Sequence, residues 1–335
     1  MSIIMTGGGT GGHLAIIKAV KEQLKGEKLI YIGSTWGQDK QWFEADEDFR
    51  AKYFLPTQGV VNQGVLGKIK SLWMMAKATK TAVGLLRKHN ARVVFSVGGF
   101  SSAATAFAAK ILRIPLVIHE QNAVLGSLNR LLKPYAASFI SSYLEESPIK
   151  AYPVKEIFFE NARTRKHVKT VIFLGGSQGA KAINTLALRM APQLHKKEIK
   201  IIHQAGEHNV KDVQEAYEAL GIEAKVFGFT TQLAAYMKEA DLAIARAGAS
   251  TLWELSATAL PTLFIPYPYA ASDHQYYNAK FLVEKELAWV MRENQIDMIR
   301  ALTLLDEDME IKSRGLMQAS QKDGSQKIAE LLLRF

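Results

Sequence analysis

The sequence predicts two doubly wound α/β domains in tandem, and three observations support this fold class. Short apolar, β-rich runs alternate with helical stretches, and most runs end in a glycine or polar loop, which is typical of parallel strands joined by crossover helices. The pattern restarts near residue 170 with a second glycine loop. The chain has 335 residues, about twice the length of a common single domain. We therefore expect one domain at 1–150 and a second at 155–314, joined near Pro148 and Pro153.

The predicted strands give the order of elements in both halves. They are Ser2–Thr6, Lys28–Ile32, Val93–Val97 and Pro115–Ile118, then Thr170–Leu174, Lys200–His203, Ala224–Val226, Leu242–Ala245 and Thr262–Ile265. A helix to about Lys25 follows the first glycine loop. Ligands of such folds bind beyond the carboxyl ends of the strands, so we expect the active site in a cleft between two facing domains.

Composition and charge restrict the class of function. The chain has no cysteine, which excludes disulfides and thiolate metal sites, and no run of 18 apolar residues, so no transmembrane helix is expected. Of the net charge of +10, residues 1–150 carry 19 Lys and Arg against 10 Asp and Glu, whereas 151–335 carry 23 against 22. A basic first half favours an anionic partner such as nucleic acid, a phosphorylated substrate or a membrane surface; a solvated basic surface is the alternative.

The first glycine loop matches the dinucleotide fingerprint G-x-G-x-x-G through Gly7, Gly9 and Gly12. That fingerprint also needs an acidic residue at the end of the second strand, but the nearest carboxylate, Asp39, lies well into the next loop, so a nicotinamide cofactor is disfavoured. Bare backbone at a helix N-terminus can bind a pyrophosphate or a sugar. A tight structural turn is the alternative.

His13 closes this loop in the first turn of the following helix. The positive end of the helix dipole favours the neutral imidazole, which is the form that a general base requires. A structural hydrogen bond is the alternative role.

The second half repeats this loop chemistry. In Gly175–Ala180, Ser177 and the amides of the next helix can donate to a diphosphate. After the strand Leu242–Ala245, Glu254 either forms a capping box with Thr251 or accepts two ribose hydroxyls.

Together these loops resemble the MurG family of glycosyltransferases. The shared segments occur in the family's order and span most of the chain: Gly7–His13, Gly98–Phe100, His119–Asn122, Gly175–Ala180, Arg246–Glu254, and His274 and Gln275 with Asn278 and Ala279. The resemblance implies a GT-B fold and the inverting, metal-independent transfer of GlcNAc from UDP-GlcNAc to undecaprenyl-pyrophosphoryl-MurNAc-pentapeptide (lipid I), giving lipid II for peptidoglycan synthesis. It also implies no cofactor, a peripheral position on the cytoplasmic face of the bacterial inner membrane, and a C-terminal helix at about 315–335 that packs on the first domain.

For the first domain, the resemblance implies five functional residues. Thr10, Gly11 and Gly12 would line the cleft and contact both substrates, and Asn122 would contact the donor. His13 would be the general base that deprotonates the acceptor hydroxyl.

For the second domain, the resemblance implies a donor site. Ser177 would bind the diphosphate, Glu254 the ribose and Gln275 the GlcNAc hydroxyls, with Gly248 and Thr251 in the same site. Helix amides and Ser177 would stabilise the departing UDP, so no metal is required.

The chain departs from the family pattern at two places. Leu14–Ile16 replace the usual proline after the histidine, and Glu160–Arg165 replace Gly-Asn-Pro-Val-Arg. The donor-binding arginine is therefore ambiguous between Arg163 and Arg165. The acidic triplets at 46–48 and 306–308 resemble a metal-binding motif, but we interpret them as solvated surface charge.

Residues 65–88 are predicted to form a helix, one face of which is predicted to bind a membrane. Its predicted core stripe is Val65, Ile69, Leu72, Ala76 and Val83, and its predicted membrane face is Leu66, Lys70, Trp73, Met74 and Lys77. Apolar side chains beside lysines suit an anionic membrane surface; a broad buried face with snorkelling lysines is the alternative.

Two other functions remain open. A UDP-GlcNAc epimerase-type enzyme can share this two-domain fold but needs no acceptor or membrane face. A non-enzymatic basic module that binds RNA or lipid is the second alternative, although the basic half contains no evident nucleic-acid recognition motif, so no nucleic-acid partner is expected.

Overall fold

The computed structural model describes residues 1–57, 65–176 and 179–335, with the side chains of 65–70 excepted. It divides the chain into two units, which are described separately. The first consists of Met1–Val154 and Asp323–Phe335, and the second of Lys155–Lys322.

The first unit contains a parallel six-stranded sheet within the described residues, with the order β3-β2-β1-β4-β5-β6. Its strands are β1 (Ser2–Thr6), β2 (Leu29–Ser34), β3 (Ala51–Leu55), β4 (Ala91–Ser96), β5 (Leu116–Glu120) and β6 (Ser138–Ser141). Its helices are α1 (Gly11–Lys21), α2 (Asp39–Phe43), α3 (Val65–Lys88), α4 (Ala103–Leu112), α5 (Ser127–Leu132) and, at the end of the chain, α14 (Gly324–Leu333).

The second unit repeats this arrangement, with the strand order β12-β11-β10-β7-β8-β9. Its strands are β7 (Thr170–Leu174), β8 (Lys200–Gln204), β9 (Lys225–Phe227), β10 (Leu242–Ala245), β11 (Thr262–Phe264) and β12 (Trp289–Val290). Its helices are α6 (Glu156–Glu160), α7 (Lys181–Lys196), α8 (Val210–Ala219), α9 (Leu233–Glu239), α10 (Ala249–Ala257), α11 (His274–Val283), α12 (Met298–Thr303) and α13 (Glu310–Ala319).

The strand order locates the ligand edge of each unit. Both sheets read 3-2-1-4-5-6 in their own strand numbering, an order that belongs to the doubly wound fold class predicted from the sequence. In this topology the chain reverses direction across the sheet between the first and fourth strands, and ligands bind at the carboxyl ends of the strands there. Those strands are β1 and β4 in the first unit, and β7 and β10 in the second.

The central strands form the core of each unit. All five residues of β1 are buried, as are all four of β10, because strands covered by helices on both faces read as continuous apolar runs. The last helix, α14, packs against α1 within the first unit. The single helix expected at about 315–335 is instead two helices, since α13 lies in the second unit and only α14 in the first.

Three strands were not predicted from the sequence, namely β3, β6 and β12. All three lie at sheet edges. Edge strands are partly exposed, so their sequences lack the continuous apolar run that marks a central strand. In β3, for example, four of the five residues are only partly buried. The first helix also ends at Lys21 rather than near Lys25.

The predicted core stripe of α3 is wrong at Leu72 and Ala76. Among the described side chains of this helix, the buried ones are Ser71, Ala78, Ala82 and Leu86, whereas Leu72 is 61% exposed. Ala76 is also exposed, Val83 is only partly buried, and the side chains of Val65 and Ile69 lie outside the described residues. The α3 stripe is offset because the helix packs on α4, whose small side chains Ala104 and Ala108 are buried in the same cluster.

Among the described helices, none combines the length and apolar character that a membrane span requires.

Candidate active site

Three loops of the first unit lie side by side at the ligand edge of its sheet. They follow β1, β4 and β5, which are neighbours in the sheet and run parallel. The loops after β1 and β4 are joined directly, since the Val97 amide donates to the Thr6 carbonyl at 3.0 Å. The predicted residues Thr10–His13 and Asn122 therefore belong to one edge of one sheet.

Close packing accounts for much of the glycine content of the first loop. Gly7, Gly8 and Gly9 have φ angles of 124°, 157° and 83°, a region that favours glycine. A Cβ at Gly7 would lie 2.5 Å from a methyl of Val97, and one at Gly9 would lie 2.7 Å from the Phe100 ring. The loop thus needs glycine for its own fold, independently of any ligand.

His13 lies in the first turn of α1 with both ring nitrogens engaged. Its Nδ1 lies 2.8 Å from Oγ1 of Thr10, and its Nε2 contacts the side-chain amide nitrogen of Gln121. An amide N–H can only donate, so with the Gln121 amide in this orientation the lone pair lies on Nε2 and the ring proton lies on Nδ1, which donates to Thr10. This is the tautomer in which Nε2 can accept a proton.

A second histidine lies behind the first. His119 is completely buried, and its ring packs edge-on against Tyr152 with centroids 5.5 Å apart. Burial, reinforced by nearby His13, lowers the pKa of His119 to about 3. This imidazole is therefore neutral at working pH and adds no positive charge beside His13.

Glu120 organises the loop that carries Asn122. Its buried carboxylate accepts the amides of Asn122 at 3.0 Å and Gly126 at 2.9 Å, and the side-chain amide of Asn129 at 3.0 Å. A carboxylate with several such donors fixes a loop in one conformation. No role for Glu120 or Gln121 was predicted from the sequence. In the case of Gln121, the reason is that it lies 108 positions from His13 along the chain, so only the fold brings Gln121 and His13 together.

The second unit has an equivalent edge, formed by the loops after β7, β10 and β11, which are adjacent parallel strands. In the loop after β7, Gly179 has a φ of 77°, and a Cβ there would lie 2.4 Å from the Ala205 carbonyl oxygen. The predicted diphosphate ligand Ser177 lies outside the described residues. The loop leads into α7, whose first turn contains no acidic residue.

Gly248 and Thr251 lie at the start of α10, and Glu254 lies in its second turn. Gly248 is the N-cap, and no atom lies within 4 Å of the position that a Cβ would occupy there. Thr251 is therefore the third helical residue and Glu254 the sixth, so the capping-box alternative is wrong. Ser250 donates to the Glu254 carboxylate at 3.1 Å, and burial raises the pKa of Glu254 to about 7.

Gln275 is the second residue of α11, beside the loop after β11. Its side-chain carbonyl accepts the Tyr267 amide at 2.9 Å, so the loop fixes the orientation of its NH₂ group. Asn278 is buried and donates to the Ala247 carbonyl at 3.2 Å, which ties α11 to the loop after β10. Asn278 therefore has a structural role here.

Both candidates for the donor-binding arginine, Arg163 and Arg165, donate hydrogen bonds to backbone carbonyls. Arg165 is fully buried and donates to carbonyls that include those of Ala240 at 3.1 Å and Met237 at 2.8 Å. Arg163 donates to the carbonyl of Lys238 and forms an ion pair of 2.7 Å with Asp241. Both side chains hold the C-terminal end of α9.

The acidic triplets form ion pairs. Asp46 and Asp48 each lie 2.6 Å from the ammonium of Lys21, which is only 5% exposed, and Asp306 lies 2.6 Å from Lys197. The interpretation of the first triplet as merely solvated charge is therefore wrong, because it holds a buried lysine. Within the described part of the chain, no cluster of three His, Cys, Asp or Glu could bind a metal.

Both halves of the chain match domains of a known protein family. Residues 3–141 match the glycosyltransferase family 28 N-terminal domain, and residues 170–332 match the glycosyltransferase family 28 C-terminal domain. The chain belongs to glycosyltransferase family 28. It is thus a glycosyltransferase, as the resemblance implied, and its two family domains cover the two sheets described above.

Within family 28, the chain is similar over its full length to members whose names state a reaction. It is 74% identical, over 100% of its length and 99% of the relative, to the "UDP-N-acetylglucosamine--N-acetylmuramyl-(pentapeptide) pyrophosphoryl-undecaprenol N-acetylglucosamine transferase" of Sulfurovum sp. (strain NBC37-1). The crystal structure of MurG from Acinetobacter baumannii superposes with a TM-score of 0.80 and 26% identity, covering 100% of this chain and 99% of that one. The resemblance to the MurG family and the GT-B fold are confirmed.

A UDP-GlcNAc 2-epimerase from Neisseria meningitidis has the same fold. It superposes with a TM-score of 0.64 at 13% identity, and each chain covers 100% of the other. Identity this low shows a shared architecture alone. The epimerase alternative therefore gains no support beyond the fold.

Proposed function

We propose that this family 28 enzyme transfers GlcNAc from UDP-GlcNAc to lipid I and so forms lipid II for peptidoglycan synthesis. The observation that carries the proposal is the 74% identity, over the whole chain, to a relative whose name states this reaction. The two ligand edges are consistent with it, since one carries His13, the proposed base, and the other carries the start of α10, where Ser250 donates to the Glu254 carboxylate.

The proposed chemistry is a single displacement. The acceptor hydroxyl oxygen attacks the anomeric carbon of GlcNAc, the bond from that carbon to the UDP oxygen breaks with its electron pair, and the hydroxyl proton passes to Nε2 of His13. Since Gln121 contacts Nε2 in this structure, its amide must give way to the acceptor hydroxyl. One displacement inverts the configuration at the anomeric carbon.

Donor binding is assigned to the second unit. The amides at the start of α7, with Ser177, would stabilise the negative charge of the departing diphosphate, so no metal or cofactor is proposed. Glu254 would accept the ribose hydroxyls and Gln275 would donate to the GlcNAc hydroxyls, with Gly248 and Thr251 bordering the nucleotide. Gly248 suits this position because no side chain fills the space above it.

Acceptor contacts are assigned to the first unit. Thr10, Gly11 and Gly12 would border the acceptor beside His13, and Asn122 would reach the donor. The expected cleft between the two domains stays a prediction.

The acceptor is a lipid, and we propose that the first unit binds the cytoplasmic face of the inner membrane peripherally. On α3, Leu72 and Trp73 are 61% and 66% exposed, and on α4, Ile111 is 63% exposed. Leu72 and Ile111 line a groove between these helices together with Met75, Ala76, Val83 and Phe107. Apolar side chains next to lysines suit an anionic surface, and no nucleic-acid partner is proposed.

The structure describes only part of the predicted membrane face and adds one exposed residue to it. Trp73 and Lys77 lie together, with the ammonium 5.6 Å from the ring centroid, and Met74 is partly buried. The side chains of Leu66 and Lys70 lie outside the described residues. The exposed Leu72, predicted to lie in the core, joins this face instead.

The stereochemistry of the product tests the proposed reaction. The disaccharide released from the lipid product should carry a β-linked GlcNAc, as measured by the anomeric proton coupling constant in NMR. An α-linkage would contradict the single displacement.

A further inference from the structure

We propose that Asp39 is a positioning residue for the transfer reaction and that it acts through the first glycine loop on His13. Asp39 is the first residue of α2 and is completely buried. It is the same carboxylate that sequence reasoning judged too far from the second strand to bind a ribose. The proposal rests on the function assigned above to His13.

The carboxylate is held by three donors. Its Oδ2 accepts the Gly9 amide at 2.6 Å, while its Oδ1 accepts the Ser34 amide and the Tyr31 hydroxyl, both at 2.9 Å. Within the described residues, no cation forms an ion pair with it. A buried charge without a counterion is costly unless hydrogen bonds satisfy it, so these three bonds fix where the carboxylate lies.

Tyr31 stays a donor throughout the working range of pH. Burial, followed by the charge of Asp39, raises the pKa of the Tyr31 hydroxyl far above its ordinary value. The same hydroxyl lies 2.9 Å from the Gly7 carbonyl. Tyr31 and Asp39 together therefore contact both ends of the Gly7–Gly9 segment.

Two glycines make room for this carboxylate. A Cβ at Gly8 would lie 2.6 Å from both carboxylate oxygens, and a Cβ at Gly33 would lie 2.6 Å from Oδ1. Gly37, two residues before Asp39, packs so closely on the loop that its Cβ would lie 2.7 Å from Cα of Gly9. Because these positions are glycine, the Asp39 carboxylate can lie directly against the backbone of the first glycine loop.

The path from Asp39 to the base is short. Gly9 precedes Thr10, the N-cap of α1, whose carbonyl accepts the His13 amide at 3.2 Å. The Thr10 hydroxyl in turn lies 2.8 Å from Nδ1 of His13. A shift of the Gly9 amide therefore moves the hydroxyl that contacts Nδ1 and so orients the ring of His13, and misplacement of about 1 Å at a reacting group can cost about a hundredfold in rate.

The test replaces Asp39 by asparagine, which keeps the volume but turns one acceptor oxygen into a donor that faces another donor. Asp39→Asn should lower kcat for transfer to lipid I by about 10- to 100-fold and leave the KM for UDP-GlcNAc within about twofold. Hydrogen exchange of the amides of residues 7–13 should speed up in this variant. Unchanged kcat and unchanged exchange would overturn the proposal.

A double variant separates positioning from general destabilisation. If Asp39 acts through His13, then Asp39→Asn should cause little further loss of kcat in a His13→Ala background. A further loss by the same factor as in the wild-type background would show that Asp39 acts independently of His13, and the proposal would fail. If Asp39→Asn does not fold, Tyr31→Phe, which removes one of the three donors, should give a smaller change in the same direction.

Asp241→Asn provides a matched control in the second unit. The Asp241 carboxylate is 7% exposed and accepts the amides of Lys169 at 2.9 Å and Thr170 at 3.0 Å. Its replacement should lower Tm but not kcat. Wild-type enzyme in the same assay distinguishes the two claims, because absent transfer would refute the proposed function, whereas the exchange measurement still tests whether Asp39 fixes the loop.

Discussion

At the scale of single residues, the proposed base depends on two neighbours that share no sequence motif with each other. Thr10 contacts Nδ1 of His13, and Gln121 contacts Nε2. The sequence made His13 a candidate base through its place at the end of a glycine loop. It could not identify the contact with Gln121, because only the parallel pairing of β1, β4 and β5 brings the two loops together.

Replacing His13 tests its role as the base. His13→Ala should lower kcat for transfer by about 10²–10⁴-fold, the usual contribution of general base catalysis, and should affect the KM for UDP-GlcNAc much less. The measurement is steady-state kinetics with both substrates varied. The exposed His167 supplies a control, and equal kcat values for His13→Ala and His167→Ala would remove His13 from the mechanism.

Glu254 gives donor binding a predicted pH dependence. Because the pKa of Glu254 is raised to about 7, its carboxyl group becomes protonated as the pH falls through that value. In the ionised form each oxygen accepts one ribose hydroxyl, whereas protonation turns one of the two oxygens into a donor, so the KM for UDP-GlcNAc should rise about tenfold between pH 8 and pH 6. In Glu254→Gln this dependence should disappear. A KM that is equally independent of pH in both enzymes would contradict the ribose assignment.

At the scale of elements, the sequence predicted the central strands well because they are buried on both faces. β1, β7 and β10 have the predicted bounds. Three of the four edge strands (β3, β6 and β12) and the buried face of α3 were missed because neighbouring elements determine them. In α3, contact with α4 buries Ala78 and Ala82 and leaves Leu72 exposed, a choice that residue spacing alone does not fix.

The exposed face of α3 carries a prediction about membranes. Leu72→Ser combined with Trp73→Ser should reduce binding to vesicles that contain anionic lipid by tenfold or more, because both exposed apolar side chains are lost. Co-sedimentation with vesicles measures this. Ile299→Ser combined with Ile311→Ser is the matched control, since these residues of the second unit are 76% and 84% exposed. Equal losses in the two double variants would contradict a specific membrane face on α3.

At the scale of the whole molecule, the two halves differ in net charge but share one sheet topology. The excess of basic residues lies in 1–150, and 151–335 is nearly neutral. The basic half contains the proposed acceptor site and membrane face, whereas the other half contains the proposed donor site. Repetition of the same strand order places the glycine loops of both units at the carboxyl ends of their central strands, which is where the sequence led us to expect the two sites.

The most direct test is a transfer assay with UDP-GlcNAc labelled in the sugar and lipid I as acceptor, run with EDTA and with a UDP-GalNAc control. We expect the label in the lipid product from UDP-GlcNAc despite EDTA, and much less from UDP-GalNAc. Release of UDP or formation of an epimer, without label in the lipid, would contradict the central claim.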